Sequence, residues 1–341
     1  MLDVVRHYFN KNEIKRLLDS MALHKLNTFH WHLVDDQEWR IEILKYPLLT
    51  SVGAWRNGID YGHNPRTSTA WNANGKYGGY YTQADVREVV AYAQAQHITI
   101  VPEIEMPGHS TAGVAAYPQY SCNPTYAYDL DNINYTYDVY SSGTTGTFQF
   151  LEDILTEVIG LFPSQYIHTG GDEVSSSIWT TYGPDKTKMQ QLGLTTGRQY
   201  QSWFSMQIAN WLQAQGRMMI GWTEIEYGGI LTNAACMDWL TSSSSEAVAT
   251  ASARQYVVRT PNTNCYFNYY MSQNHAVEPY ASSYLPVSAV YNFEPVPAGL
   301  AAAYTNYILG ADANLWAENV PSYLNVEFKF FPRLCAMAEV T

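Results

Sequence analysis

Residues 164–175 read SQYIHTGGDEVS. Tyr166–His168 is a short run that suits a buried strand. Gly170 and Gly171 let the backbone turn sharply and approach a ligand closely, so Asp172 and Glu173 are presented at the mouth of that strand. Strand, tight turn and paired acids are how active sites are built. An Asp-Glu pair after two glycines equally suits the cap of a following helix, and the rest of the chain has to decide between the two.

Working outward, the same alternation of strand and helix recurs. Residues 2–8 are β-branched enough for a strand, and Ile14, Leu17, Leu18 and Met21 fall at helical spacing. Leu26–Val34 predicts a second strand, ending at Asp35 and Asp36. Val86, Val89, Val90 and Ala93 mark a helix after a loop over 57–81, and His97–Ile104 a third strand. Residues 117–146 read as a long loop, of the kind that is usually functional. The helical face of Phe148, Leu151, Ile154, Leu155, Val158 and Ile159 leads back into Tyr166–His168. Beyond it come a helix at Phe204–Leu212, strands in 217–225 and 234–240, and a polar linker at Ser242–Ser245. A seventh strand is expected at Gln255–Arg259 with Cys265–Phe267, and an eighth at Tyr307–Leu315. No helix is evident across 279–297, and Leu324–Val340 closes the chain as a helix bent at Pro332. Eight strands alternating with helices predict an α/β fold, a (β/α)8 TIM barrel with two crossovers replaced by loops or short helices. No internal repeat or second-domain composition shift appears, so 1–341 is expected to be a single domain.

A barrel decides where to look, because the C-terminal ends of its strands converge on one face. Arg6, Asp35, Glu103 and His109, Asp172 and Glu173, Trp222 and Glu224, Trp239, Tyr266 and Asn268, and Trp316 and Glu318 lie at or just past successive strand ends. Together they predict a pocket of aromatics and carboxylates.

Composition narrows the ligand. With 31 acidic against 19 basic residues the formal charge is −12, which argues against nucleic acid as a partner. No apolar run reaches the length of a membrane span and MLDVVRHYF lacks the regions of a signal peptide, so a soluble chain with no membrane partner is expected. The 28 Tyr and 10 Trp are rings that can stack on sugars, though most belong to the core. Cys122, Cys236, Cys265 and Cys335 are widely separated, which predicts one disulfide or none and no zinc site. Asn134-Tyr135-Thr136 fits a glycosylation sequon.

Carboxylates within an aromatic ring, without a thiolate, phosphate loop or metal set, suit cleavage of a glycosidic bond. That reaction gives a proton to the leaving oxygen and stabilises an oxocarbenium-like centre from the opposite side. Asp172 and Glu173 are neighbours whose side chains diverge, so they are poorly placed for opposed roles. Another group must then be the nucleophile.

At this point LDVVRHYF, LHKLNTFHWHLVDDQEWRIEI, GGYYTQADVREVVAYAQAQHITIVPEIEMPGHS, HTGGDEV, IGWTEI, LWAE and FPRLCAMAEV, in this order, resemble glycoside hydrolase family 20, the β-N-acetylhexosaminidases. The resemblance covers nearly the whole chain. It implies that the substrate's 2-acetamido oxygen is the nucleophile and closes an oxazolinium ring. It makes Glu173 the general acid/base and Asp172 the residue that orients the acetamide. Trp222, Trp239 and Trp316 become an apolar box and Tyr266 the donor to the acetamide oxygen. Arg6 and Glu318 become the residues that hold the ring hydroxyls, and Asp35 and His109 the pair that tunes Glu173. Asn268 departs from the family, which commonly carries Asp there, so the grip on the 4- and 6-hydroxyls is expected to differ. The family also usually carries a small α+β domain ahead of the barrel; with the first strand expected from residue 2, residues 1–341 are expected to hold the barrel alone, as a trimmed catalytic domain or a minimal natural one, and the resemblance implies a secreted, periplasmic or cell-surface location.

The expected activity is exo-hydrolysis of terminal β-linked GlcNAc or GalNAc from glycans or chitooligosaccharides, without cofactor or metal. Lacto-N-biosidase-like release of a disaccharide and a non-catalytic glycan-binding barrel are the alternatives. His30 and His32 alternate along a strand like a metal pair, but no third ligand accompanies them at a sensible spacing, so packing is the expectation. Glu103 and Glu105 are expected to support the site, Asp36 to organise its loop, and Trp31, Trp39, Trp55, Trp71 and Trp179 to fill core or rim.

Overall fold

A computed structural model describes residues 1–57, 75–131, 137–240, 244–274, 278 and 281–341. The sequon at Asn134, Trp71, and most of the 57–81 loop lie outside the described residues. Eight parallel strands run in sequential order: β1 (Leu2–Asp3), β2 (Thr28–His32), β3 (Thr99–Glu103), β4 (Tyr166–His168), β5 (Met218–Trp222), β6 (Ala234–Asp238), β7 (Val257–Arg259) and β8 (Ile308–Ala311). A parallel bridge between Leu2 and Leu315 joins the two edges, with Asp3 N–H donating to Leu315 O at 3.0 Å. The chain is a (β/α)8 barrel.

Helices follow where apolar spacing and caps coincide. Helix α1 (Lys11–Leu23) opens on a capping box of Asn10 and Glu13, and α2 (Gln83–Ala95) on one of Thr82 and Asp85. Helix α3 (Thr147–Leu161) precedes β4, and α4 (Gly183–Gln191) and α5 (Gly197–Ala214) follow it. Helix α6 (Ser245–Ser252) precedes β7. Between β5 and β6 the described chain has only a 3-10 turn at Thr223–Glu226, and between β7 and β8 only short helical pieces.

Several details depart from the sequence reading. Strand β1 stops after Asp3, because the Asp3 carboxylate accepts from the backbone N–H of Val5 (2.8 Å) and Arg6 (3.2 Å) and turns the chain. Residues 262–265 form a short helix rather than continuing β7. Ser245 begins α6 rather than ending a linker, and α4 was equally silent in sequence, because both helices bury small or few apolar side chains. The closing helix is two, α7 (Tyr323–Phe330) and α8 (Arg333–Val340), interrupted at Pro332, whose ring cannot continue the hydrogen-bond ladder. All four cysteines are free thiols. Trp31, Trp39 and Trp179 are fully buried. Among the described residues no helix is long and apolar enough to cross a membrane.

Arg40, fully buried, fastens the start of the chain to the β2 loop. Its guanidinium donates to the carbonyls of Val4 (2.9 Å), Val5 (2.6 Å) and Gly79 (2.8 Å) and pairs with Glu38, which also receives Arg56. Arg56 in turn donates to Arg6 O at 2.7 Å, so this ion-pair group sets where Arg6 emerges. Removing one partner of such a buried pair leaves the other uncompensated. We expect Arg40→Ala to lower the unfolding free energy by about 3–5 kcal/mol, measured by urea denaturation.

Candidate active site

The β4 end presents the paired acids as its glycines require. Gly170 (φ +65°) and Gly171 (φ +97°) lie in the left-handed region, and a Cβ on Gly170 would sit 1.5 Å from Glu105 Oε2. That close approach lets the Gly171 N–H donate to Glu105 at 3.2 Å. Asp172 is then turned inward and buried, while the Glu173 side chain, on a residue itself at φ +49°, remains 64% exposed. The pair caps no helix. Asp172 Oδ1 is buried without a hydrogen-bond partner among the described residues.

His109, after β3, stands between four carboxylates. Its Nδ1 donates to Asp36 Oδ2 at 2.8 Å and lies 3.5 Å from Asp35 Oδ1; its Nε2 is 3.6 Å from both Asp172 Oδ2 and Glu173 Oε2. Burial disfavours an imidazolium, but Asp35, Asp172 and Asp36 overcome that and raise its pKa well above the usual range. Sequence reading paired His109 with Asp35; the shorter hydrogen bond is to Asp36, which also accepts from Thr111 N–H and Oγ1. Asp35 instead pairs with Arg6 Nη2 (2.7 Å) and His32 Nε2 (3.0 Å). Against burial, Arg6, His109 and His32 hold Asp35 well below the usual carboxylate range. Consecutive acids at a strand end point to different sides, and only the fold says which side holds the histidine.

The two catalytic candidates are shifted in opposite senses. Burial raises Asp172 to about 6 while His109 acts against it. Contact with His109 lowers Glu173, with burial opposing.

The aromatic residues converge as the strand ends predict. Tyr266 and Trp239 lie parallel, 9° and 6.1 Å apart; Trp316 faces Tyr266 at 6.2 Å and Trp222 at 5.8 Å. Arg6 sits 5.3 Å over Trp316 and donates to Gln37 and Asp3. Burial raises the Glu318 carboxyl, with Arg6 pulling it down. Asn268 keeps a buried Oδ1 that accepts no hydrogen bond among the described residues.

Beneath this ring lies a cluster that sequence spacing did not reveal. Glu103, fully buried, is reached by His30 Nε2 (3.0 Å), His32 Nδ1, His168 Nδ1 (2.8 Å) and Trp222 Nε1 (2.9 Å). His30 and His32 thus do have a third ligand-type neighbour, contrary to expectation. Among the described residues, ligand atoms of His30, Glu103 and His168 lie within 4.8 Å of one another, as do those of three further acid and histidine trios. Hydrogen bonds to the imidazoles and the indole account for both Glu103 oxygens, and the cluster positions Trp222.

This geometry can be set against known proteins. The profile of the glycosyl hydrolase family 20 catalytic domain matches residues 1–341. A β-hexosaminidase of Porphyromonas gingivalis is 40% identical over 343 residues, covering all of this chain and 42% of that protein. One from Vibrio furnissii is 36% identical, covering 99% of this chain and 55% of its own length. An exo-β-N-acetylglucosaminidase of Vibrio harveyi, solved with N-acetylglucosamine, superposes with a TM-score of 0.85 at 34% identity, covering all of this chain and 53% of that one. The chain therefore spans about half the length of these relatives. Profile, sequence identity and barrel geometry agree over the whole chain, which belongs to glycosyl hydrolase family 20.

Proposed function

We propose that the chain is an exo-acting β-N-acetylhexosaminidase that removes terminal β-linked GlcNAc or GalNAc by a retaining, substrate-assisted mechanism. The observation that carries this reading is Asp172 Oδ1, a buried acceptor without a partner among the described residues, near Tyr266 of the aromatic ring. A buried acceptor of that kind calls for a donor, and the N–H of an acetamide held among aromatic faces supplies one. The activity and bound sugar of the Vibrio harveyi relative support the same reading.

In this mechanism the acetamide oxygen attacks C1 as the glycosidic bond breaks, while Glu173 gives its proton to the leaving oxygen. Asp172 accepts the acetamide N–H and stabilises the positive charge spreading onto the oxazolinium ring, and Tyr266 donates to the acetamide oxygen. Glu173 then takes a proton from the water that opens the ring at C1, which returns the β configuration. The free chain favours the opposite protonation, a lowered Glu173 and a raised Asp172. Sugar covering Glu173 and an N–H reaching Asp172 both reverse that preference. Arg6 and Glu318 hold ring hydroxyls, and Asn268 modifies that grip.

Glu173→Gln is expected to lower kcat/KM on 4-nitrophenyl β-GlcNAc by about 10²–10⁴-fold, the range of general acid–base catalysis. Unchanged hydrolysis would remove Glu173 from its role. Proton NMR of the first-formed sugar should give the β anomer, and an α product would overturn the mechanism. Turnover of only 4-nitrophenyl lacto-N-bioside, with none of the GlcNAc glycoside, would move the assignment to a disaccharide-releasing enzyme. The His109 imidazolium depresses both acids, so its loss raises both pKa values. Activity needs Asp172 ionised and Glu173 protonated. In His109→Asn both limbs of the kcat/KM pH profile should therefore move to higher pH.

A further inference from the structure

Two consecutive residues near the start of α5, Gln201 and Ser202, are buried and reach from the helix to loops at the C-terminal face of the barrel. Gln201 Nε2 donates to Gly171 O at 2.6 Å, on the turn after β4. Ser202 Oγ donates to Ile225 O at 2.7 Å and accepts the Gly228 N–H at 2.8 Å, on the loop after β5. The mechanism above gives neither residue a role, yet Gly171 stands directly before Asp172.

The two glycines before Asp172 have positive φ and no side chain to pack, so the turn's peptide planes depend on partners outside it. The peptide between Gly170 and Gly171 is held on both edges: Gly170 O accepts the Trp222 backbone N–H at 3.0 Å, and the Gly171 N–H donates to Glu105 Oε2 at 3.2 Å. The next peptide is planar and joins the Gly171 carbonyl to the N–H of Asp172. The direction of that carbonyl therefore sets the direction in which Asp172 leaves the turn, and it is the carbonyl that Gln201 holds. Ile225 Cγ2 would stand 2.7 Å from a Cβ on Gly171, so the turn sits close against the loop that Ser202 fastens to the same helix.

We propose that Gln201 is a positioning residue, which holds the Gly171 carbonyl from α5 and so orients the Asp172 carboxylate toward the acetamide. It touches no substrate atom and exchanges no proton with one. The inference rests on the hexosaminidase reading of Asp172.

The test couples Gln201 to Asp172. Gln201→Met keeps the length of the side chain and removes the donor. On 4-nitrophenyl β-GlcNAc, kcat/KM should fall about 3- to 10-fold, the size of one lost hydrogen bond. A thiazoline analogue of GlcNAc, whose ring nitrogen takes the place of the acetamide nitrogen facing Asp172, should bind more weakly by a similar factor. In an Asp172→Asn background there is no carboxylate left to orient, so adding Gln201→Met should cost less than about twofold more. A general structural defect would lower activity alike in both backgrounds and leave the thiazoline affinity of the intact sites as it was. Any one of three results overturns the proposal: unchanged kcat/KM, unchanged thiazoline affinity, or equal losses in the two backgrounds. Should Gln201→Met not fold, Gln201→Asn keeps a buried amide that stops short of the carbonyl, and the same results decide. If the wild-type chain neither hydrolyses this glycoside nor binds the thiazoline, the hexosaminidase reading itself fails.

Discussion

One buried carboxylate holds the upper half of this barrel together. Glu103 has no exposure, and a lone charge there would be prohibitively unfavourable. It persists because β2 and β5 aim donors at it from His30, His32 and Trp222, and β4 brings His168 Nδ1 within 2.8 Å. Barrel interiors are commonly filled by layers of branched apolar residues. Here the layer under the site is polar and directional, which gives it a defined geometry that apolar packing alone would not impose. Trp222 is oriented by its bond to Glu103, and His32 passes the constraint to Asp35, which grips Arg6. One carboxylate thus sets both the wall of the pocket, which it bonds directly at Trp222, and a sugar-binding candidate, Arg6, which it reaches only through His32 and Asp35.

Above that layer a second constraint governs charge. Asp35, Asp36, Asp172 and Glu173 crowd one side of the pocket, and His109 within 3.6 Å of all four is the cation that makes the crowding tolerable. The price is coupling. A proton on any one of these acids changes the others, so Asp172 and Glu173 are shifted apart in the free chain by burial on one side and histidine contact on the other. Glu105 beneath Gly170 adds a further carboxyl, pushed well above its usual range by burial and by Asp172.

Much of this was legible in the residues. The strand-end positions of Trp222, Trp239, Tyr266 and Trp316 follow from counting strands in a closed barrel, and the turn before Asp172 follows from two glycines whose positive φ is seen in the structure. Less legible were partners chosen across the fold. Asp35 and Asp36 look alike in sequence, yet one binds Arg6 and the other His109. Glu224 looked like one more acid on the pocket face, and its donor, the Trp239 indole, arrives from the end of the next strand. Helices α4 and α6 left no apolar stripe to read, because each buries little.

By itself the sequence determined the repeating strand and helix order, the glycine turn, and the set of side chains brought to the C-terminal face. These depend on local periodicity and on backbone freedom, which neighbours in sequence carry. Only the tertiary structure decided which acid meets which base, that three histidines and a tryptophan share one carboxylate, and that Asp172 keeps an unpaired buried oxygen. Those outcomes depend on distances between strands far apart in sequence, and hydrogen bonds and pKa shifts respond to such distances on the scale of an ångström.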